Sequence, residues 1–154
     1  IKRKGIESRV SWGSTIHQPE NLVLGDHVRI GSGAFLFCLG GISIGDNTII
    51  SRNILIYSAN HDINGNAIPY DNHYVGKEVI IGKSVWIGMN VIIRPGIKIG
   101  DGAVIGMGTV ISSDVPEGAI VVGPKQRTIK HRDMSAFHEK EKKGLLFAKL
   151  WPDF

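Results

Sequence analysis

The side chains best suited to chemistry lie in one polar stretch, from about residue 58 to 78, that contains His61 and His73. Imidazole titrates near neutral pH, so a positioned histidine can take a proton from a reacting hydroxyl group, with a gain of typically ~10²–10⁴-fold in rate. A lone histidine at the end of a strand more often has a structural role. The surrounding sequence therefore has to decide between the two roles.

A second group of reactive side chains follows residue 124, where cations gather within eight residues: Lys125, Arg127, Lys130, His131 and Arg132. Arginine pairs with phosphate bidentately and lysine does so as a point charge. The net charge of +4 would also suit a nucleic acid. However, no recognition-helix, zinc-finger or aromatic RNA-binding signature accompanies the cluster. We therefore interpret it as a site for a small anionic ligand, with a solvated surface as the alternative.

The sequence offers no conventional covalent nucleophile. The single cysteine, Cys38, falls within an apolar run, and no G-x-S-x-G motif is present. We expect Cys38 to be a buried core residue. A lone cysteine also excludes an intrachain disulfide, which suits a reducing compartment, and we expect a cytoplasmic location.

A six-residue repeat surrounds these groups. Cut every six residues from Val79, the sequence reads VIIGKS, VWIGMN, VIIRPG, IKIGDG, AVIGMG and TVISSD, with isoleucine always third. Upstream, an aliphatic residue recurs every six positions at Leu24, Ile30 and Leu36 and, after a slip of two residues, at Ile44, Ile50 and Ile56. The residue that follows is glycine in seven of the twelve cases, and Phe37, Arg94 and Ser112 each close a group of three repeats. The superperiod is therefore eighteen residues.

A period of six fits neither an amphipathic helix, which needs 3.6, nor a simple hairpin sheet, which needs 2. It predicts an all-β solenoid, a parallel β-helix with triangular coils of three hexads each. One aliphatic side chain per side points inward, and successive coils stack as parallel strands ~4.8 Å apart. We expect residues 1–132 to form this domain.

Two segments depart from the repeat. The polar stretch at about 58–78 is predicted to protrude as a loop, and loops of this length in compact domains are usually functional. Residues 133–154 are predicted to be a short helical tail that begins at Asp133. Its apolar face would dock on the β-helix or on a neighbouring subunit. Association with a membrane surface is the alternative.

The segment ILIYSANHD at residues 54–62, with the hexads from Gly82 onward, resembles the active-site half of the hexapeptide-repeat acyltransferases. The resemblance is to the branch of galactoside, maltose and polysaccharide O-acetyltransferases, and it covers roughly residues 20–130. It implies a left-handed β-helix and acetyl transfer from acetyl-CoA to a sugar or polysaccharide hydroxyl group, without a metal. The family's base is a histidine just beyond an Ile-Tyr-Thr/Ser segment, where this chain has His61. Contacts to the acceptor are expected from four neighbours: Tyr57, Asn60, Asp62 and His73.

The same resemblance implies a binding site for acetyl-CoA. Trp86 would pack beside the acetyl-CoA arm, with a subunit contact as the alternative role. Backbone groups along one column would bond the pantetheine arm, at Gly88, Met89, Gly106 and Met107. The nucleotide end would meet Ser112, Ser113, Lys125, Arg127 and Lys130.

This chain departs from the sugar enzymes at two places in that site. Ser112 and Ser113 replace a Thr-Lys pair of the sugar enzymes. Gly31 stands where those enzymes carry an asparagine that supports the oxyanion.

A triangular prism exposes flat sides whose apolar residues are poorly used in a monomer. Packing one side on a different side of the next copy closes with three copies, so we expect a homotrimer with active sites between subunits. Within the same fold, an amino-sugar N-acetyltransferase and an antibiotic acetyltransferase remain alternatives. A γ-class carbonic anhydrase needs two zinc-binding histidines five residues apart, and the six histidines here contain no such pair. A non-enzymatic scaffold would need a regular face without the polar interruption.

Overall fold

The computed structural model describes residues 1–124 and 130–150. The chain divides into two compact units, Ile1–Pro124 and Lys125–Phe154. No helix among the residues described is long and apolar enough to cross a membrane.

The first unit consists of short strands and one 3₁₀ turn at Pro19–Asn21. The strands in chain order are β1 (Arg3–Lys4), β2 (Arg9–Val10), β3 (Thr15–His17), β4 (Leu22–Leu24), β5 (Arg29–Ile30), β6 (Phe35–Phe37), β7 (Ile42–Ile44), β8 (Ile49–Ile50), β9 (Leu55–Tyr57), β10 (Ala59–His61), β11 (Tyr74–Gly76), β12 (Val79–Ile81), β13 (Trp86–Ile87), β14 (Ile92–Ile93), β15 (Lys98–Ile99), β16 (Val104–Ile105), β17 (Val110–Ile111) and β18 (Ile120–Val121).

Three parallel sheets form the sides of the solenoid, and each takes every third strand of the repeat. Their orders are β1-β4-β7-β12-β15, β18-β16-β13-β8-β5-β2 and β17-β14-β9-β6-β3. In the coils after the hairpin the register joins residues eighteen apart, since Ile81 pairs with Ile99, Ile87 with Ile105 and Ile93 with Ile111. In the earlier coils the paired residues are twenty apart, as Leu24 and Ile44 are. The parallel β-helix with three hexads per coil is thereby confirmed.

The core lies inside the prism and consists of the aliphatic columns. All twelve aliphatic positions of the repeat are buried, each with at most 3% of its surface exposed. Each such burial stabilises the fold by roughly 1.5–3 kcal/mol relative to an exposed side chain. Thr48 satisfies its buried hydroxyl by donating to the Gly82 carbonyl, 2.8 Å away, and accepting from Val85 N, 3.1 Å away.

The corners of the coils are tight, which explains the glycine that follows seven of the twelve core positions. A Cβ on Gly88 would lie 2.6 Å from Met107 N on the next coil. Asparagine occupies several of the left-handed turn positions, including Asn47 and Asn90 with φ near 58° and 57°. Asparagine tolerates this conformation better than other residues with a Cβ.

The polar stretch leaves the prism as a β-hairpin. Strands β10 and β11 pair antiparallel, with Ala59 opposite Gly76 and His61 opposite Tyr74. The protruding loop predicted at about 58–78 is confirmed. The hairpin interrupts the chain between strands β9 and β12 without disturbing the stacking of the coils, because β12 still pairs with β7.

The second unit contains two helices, α1 (Met134–Lys142) and α2 (Phe147–Leu150). Asp133 caps α1 as expected, since its carboxylate accepts a hydrogen bond from Ala136 N at 3.0 Å. The predicted short C-terminal helix is therefore present. The predicted domain boundary at residue 132 stays a prediction.

Candidate active site

His61 ends strand β10, and its imidazole is held between two tyrosines of the hairpin. The ring centroid of Tyr70 is 3.7 Å from that of His61, at an interplanar angle of 17°. Tyr74, opposite His61 on β11, lies 4.2 Å away at 34°. Such contacts fix the plane of the imidazole, so the ring cannot rotate freely when a substrate arrives.

The two imidazole nitrogens of His61 differ in environment. Nδ1 is buried and has no hydrogen-bond partner among the described residues. His61 is one of the residues that line the cavity beside the ring. A general base needs one nitrogen that can reach the proton it removes, and Nε2 is the candidate nitrogen because Nδ1 is buried.

A cavity of about 360 Å³ opens beside His61. The hairpin contributes most of its wall, and the corners after strands β14 and β17 contribute the rest. The lining residues are Asn60, His61, Asp62, Ile63, Asn64, Val75, Lys77, Arg94, Pro95 and Ser112. The structure thus brings together four of the predicted site residues: Asn60, His61, Asp62 and Ser112.

Asp71 organises the tip of the hairpin. Its carboxylate accepts hydrogen bonds from the backbone N–H groups of Asn66, at 2.8 Å, and His73, at 2.9 Å. His73 Nδ1 lies 3.0 Å from the same carboxylate. These hydrogen bonds lower the pKa of Asp71 to about 2. The side chain of His73 therefore belongs to the hairpin tip, and His73 does not line the cavity.

A row of aromatic rings runs from the first coil to the hairpin along strands β3, β6 and β9. His17 contacts Phe35 and Phe37, both of which contact Tyr57 at centroid distances of 5.7 and 5.2 Å. Phe37 also contacts Tyr74, which reaches His61. Tyr57 therefore approaches the base through the aromatic row, although it does not line the cavity.

The predicted acetyl-CoA column is present on neighbouring coils. Met89 and Met107 are 40% and 72% exposed, and Gly88 N donates to the Ile105 carbonyl immediately before Gly106. The Met89 carbonyl accepts a hydrogen bond from Gly108 N, so one of its lone pairs is used within the solenoid. Trp86 is 58% exposed on the outer face of strand β13.

Other predicted residues lie elsewhere. Ser113 is exposed and does not line the cavity. Lys125 and Arg127 fall outside the described residues, and Lys130 is exposed in the second unit. Burial raises the pKa of Cys38 to about 12, and its side chain is fully buried, so the expected core role is confirmed.

Four residues around His61 were not predicted from the sequence to belong to the site. Tyr70 and Tyr74 were visible as aromatic residues inside an otherwise polar loop. Arg94 was visible as an arginine at a corner that usually holds glycine. Lys77 carried no such signal, because a lysine at the end of a loop is ordinary. Within residues 1–124 and 130–150, no group of three or more potential ligands is arranged to hold a metal ion.

Comparison with known proteins places these features in a family. The bacterial transferase hexapeptide model (six repeats) matches residues 78–113, and the model of the hexapeptide repeat of succinyl-transferase matches residues 21–58. No match is found among curated proteins.

Solved structures are more informative. A maltose O-acetyltransferase from Clostridium difficile is 34% identical, over 85% of this chain and 70% of that one, with a TM-score of 0.71. A hexapeptide-repeat acetyltransferase from Vibrio cholerae, in complex with acetyl coenzyme A, is 27% identical over 85% and 72%, with a TM-score of 0.73. An N-acyltransferase from Bacillus cereus, with dTDP and coenzyme A, is 25% identical over 94% and 92%, with a TM-score of 0.65.

Fold and site together define a hexapeptide-repeat β-helix with a histidine-bearing hairpin. The chain belongs to the hexapeptide-repeat acetyltransferase family, in which the sugar O-acetyltransferase branch is represented among its structural neighbours.

Proposed function

We propose that the protein transfers an acetyl group from acetyl-CoA directly to a hydroxyl group of a sugar or polysaccharide, with His61 as the general base. The observation that carries the proposal is the imidazole of His61, held between Tyr70 and Tyr74 at the edge of a cavity on an acetyltransferase fold. A sugar hydroxyl attacks a thioester slowly unless its proton is removed as the new bond forms.

The residues present fit an extended, amide-containing donor. The exposed Met89 and Met107 column offers an open path along two coils, and the exposed Trp86 offers a flat apolar surface. When bound, acetyl-CoA supplies the thioester carbonyl carbon that the acceptor oxygen attacks. No Ser or Cys nucleophile is needed if donor and acceptor are bound together.

His61 moves one proton in each direction. Its Nε2 takes the hydroxyl proton as the acceptor oxygen bonds to the acetyl carbon. When the carbon–sulfur bond breaks, the imidazolium returns that proton to the leaving sulfur. The proton that His61 removes is the one that it returns, so the reaction requires neither a metal nor a second base.

The aromatic row supports a sugar acceptor. Aromatic rings stack on the apolar faces of sugar rings, and Phe37, Tyr57 and Tyr74 form a continuous surface that leads to the base. The maltose O-acetyltransferase similarity points in the same direction. The acceptor is therefore best sought among oligosaccharides and polysaccharides.

Transfer to an amino sugar is the second candidate. The N-acyltransferase from Bacillus cereus matches more of this chain than the maltose enzyme does, 94% against 85%. An amine acceptor also has to lose a proton to the base. Assays with matched hydroxyl and amino sugars separate the two reactions.

The test is the exchange of His61 for asparagine. Loss of the base should lower kcat by about 10²–10⁴-fold with any accepted sugar. The matched control is His27→Asn, at an exposed histidine on a left-handed turn where asparagine is well tolerated. Activity of the His61 variant within about threefold of wild type would remove this residue as the base.

A further inference from the structure

We infer that the acceptor sugar carries a negative charge, which Arg94 and Lys77 bind beside His61. This inference rests on the proposed acetyl transfer and adds the chemical class of the acceptor. It depends on where these two cations lie, on what they do not contact, and on the chemistry of the donor.

Arg94 occupies a corner of the coil that carries no structural need for arginine. Ile93 pairs with Ile56 on one side and with Ile111 on the other, so Arg94 stands in line with Tyr57 and Ser112. In this column of corner residues, Tyr57 is the last aromatic residue and Arg94 occupies the same position on the next coil. Arg94 is one of the residues that line the cavity beside His61.

Lys77 reaches the same cavity from the end of the hairpin. Its backbone is held on both sides, because Lys77 N donates to the Ser58 carbonyl at 2.7 Å and its carbonyl accepts from Gly96 N at 3.1 Å. The position of the Lys77 backbone is thus fixed by the first strand-to-loop junction and by the corner after Arg94. Two cations from separate segments converge on one cavity.

The charges around the cavity are not balanced. Among the described residues, neither Arg94 nor Lys77 has a carboxylate within 4.0 Å. Asp62 is the acidic residue of the lining, and one of its oxygens already accepts a hydrogen bond from Asn64 N at 2.9 Å. With a neutral imidazole, the cavity therefore carries an excess positive charge that suits an anionic ligand.

The phosphates of acetyl-CoA are not the expected partners of these cations. The thioester and the phosphates lie at opposite ends of the pantetheine arm. If the thioester is at His61, as the proposed reaction requires, cations that share a cavity with His61 face the acceptor. A carboxylate or a phosphate on the sugar would satisfy them, because both anions accept paired hydrogen bonds from a guanidinium group.

The experiment uses acidic oligosaccharides, each paired with its own carboxyl-reduced form, together with sugar phosphates paired with their dephosphorylated forms. We expect the charged member of the best pair to have a kcat/KM at least about tenfold higher in the wild-type enzyme. Arg94→Gln and Lys77→Gln should reduce this preference, mainly through KM, whereas Arg94→Lys should retain part of it. Arg52→Gln, at an exposed arginine outside the cavity, is the matched control.

Three outcomes would overturn the inference. One is a neutral acceptor whose kcat/KM equals or exceeds that of its charged counterpart in the pair with the highest activity. Another is an unchanged preference in the Arg94→Gln variant. The third is calorimetry in which Arg94→Gln weakens acetyl-CoA binding, since the cation would then serve the donor. The His61→Asn variant separates this inference from the proposed reaction. Activity within about threefold of wild type would contradict only the role of the base, whereas a charge preference that persists in the residual activity would leave this inference standing.

Discussion

At the scale of single residues, the orientation of His61 depends on hairpin residues that do not line the cavity. Tyr70 stacks on His61, and the adjacent Asp71 ties the hairpin tip through Asn66 and His73. The carboxylate is thus a positioning group for the tyrosine and, through it, for the base. Its influence on activity should be separable from the chemistry of proton transfer.

The first prediction concerns Asp71→Asn. The amide accepts more weakly than the carboxylate, so the tip should loosen and kcat should fall about 3–10-fold, as expected when one or two hydrogen bonds to a charged group weaken. The pH dependence of kcat should remain that of the wild type, because the base is unchanged. A shifted pH profile, or a loss as large as that of the His61→Asn variant, would contradict a positioning role.

A further prediction is that the hairpin tip loosens in acid, when the Asp71 carboxylate is protonated. The pKa of Asp71 is lowered from 3.8 to about 2 by hydrogen bonds that favour its charged form. Because the pKa of Asp71 is lower in the folded protein, its ionised carboxylate stabilises the hairpin fully at a pH above the ordinary pKa of 3.8. This stabilisation is lost as the pH falls through about 2. The amide NMR signal of Asn66, which donates to this carboxylate, should move mainly below about pH 4. Movement centred near pH 6 would indicate that another group controls the tip.

At the scale of elements, the coils depend on close backbone stacking at their corners. Gly88 illustrates this, since a Cβ there would lie 2.6 Å from Met107 N and 2.9 Å from Met107 Cα. Backbone cannot move aside as a flexible side chain can. Glycine at this corner is therefore a packing requirement, independent of any contact with acetyl-CoA.

The second prediction follows from this stacking. Gly88→Ala should lower the free energy of unfolding by about 1–3 kcal/mol, the usual cost of overpacking. Gly123→Ala is the control, because its Cβ would meet nothing closer than 3.7 Å. Alanine there should be neutral or stabilising by up to about 1 kcal/mol. Equal effects of the two substitutions in denaturant unfolding would contradict the corner-packing argument.

At the scale of the whole molecule, one face of the prism is unusually apolar for a surface. The outer column of strands β8, β13 and β18 contains Ile49, Trp86 and Ile120, which are 41%, 58% and 77% exposed. A contiguous apolar face of this kind usually marks an interface. Packing one side of a prism on a different side of the next copy closes as a ring of three.

The third prediction is therefore a homotrimer. Light scattering should give about three times the chain mass of 16.8 kDa. Ile49→Asp should dissociate the trimer and abolish activity, because the site is expected to lie between subunits. Ile6→Asp, at an exposed isoleucine outside this column, should do neither. An active monomer at assay concentration would contradict the shared site.

The sequence by itself determined the solenoid. Period six, with an aliphatic residue third in each hexad and most often a glycine after it, predicts a solenoid that buries the aliphatic columns. The register of eighteen in the coils after the hairpin follows from it. The sequence also located the protruding loop, since a stretch of about twenty residues without the repeat cannot be accommodated inside a coil. His61 was identified by its place at that junction, with the support of a family resemblance.

Only the tertiary structure decided which residues surround His61. Tyr70 and Tyr74 reach its ring because the hairpin folds back antiparallel, a pairing that no periodicity encodes. Arg94 lies more than thirty positions away in the chain, and coil stacking brings it to the same cavity. Periodicity specifies which side of a strand is buried, because burial depends on spacing along the chain. The composition of a cavity depends on contacts between distant segments, and these exist only once the coils have stacked.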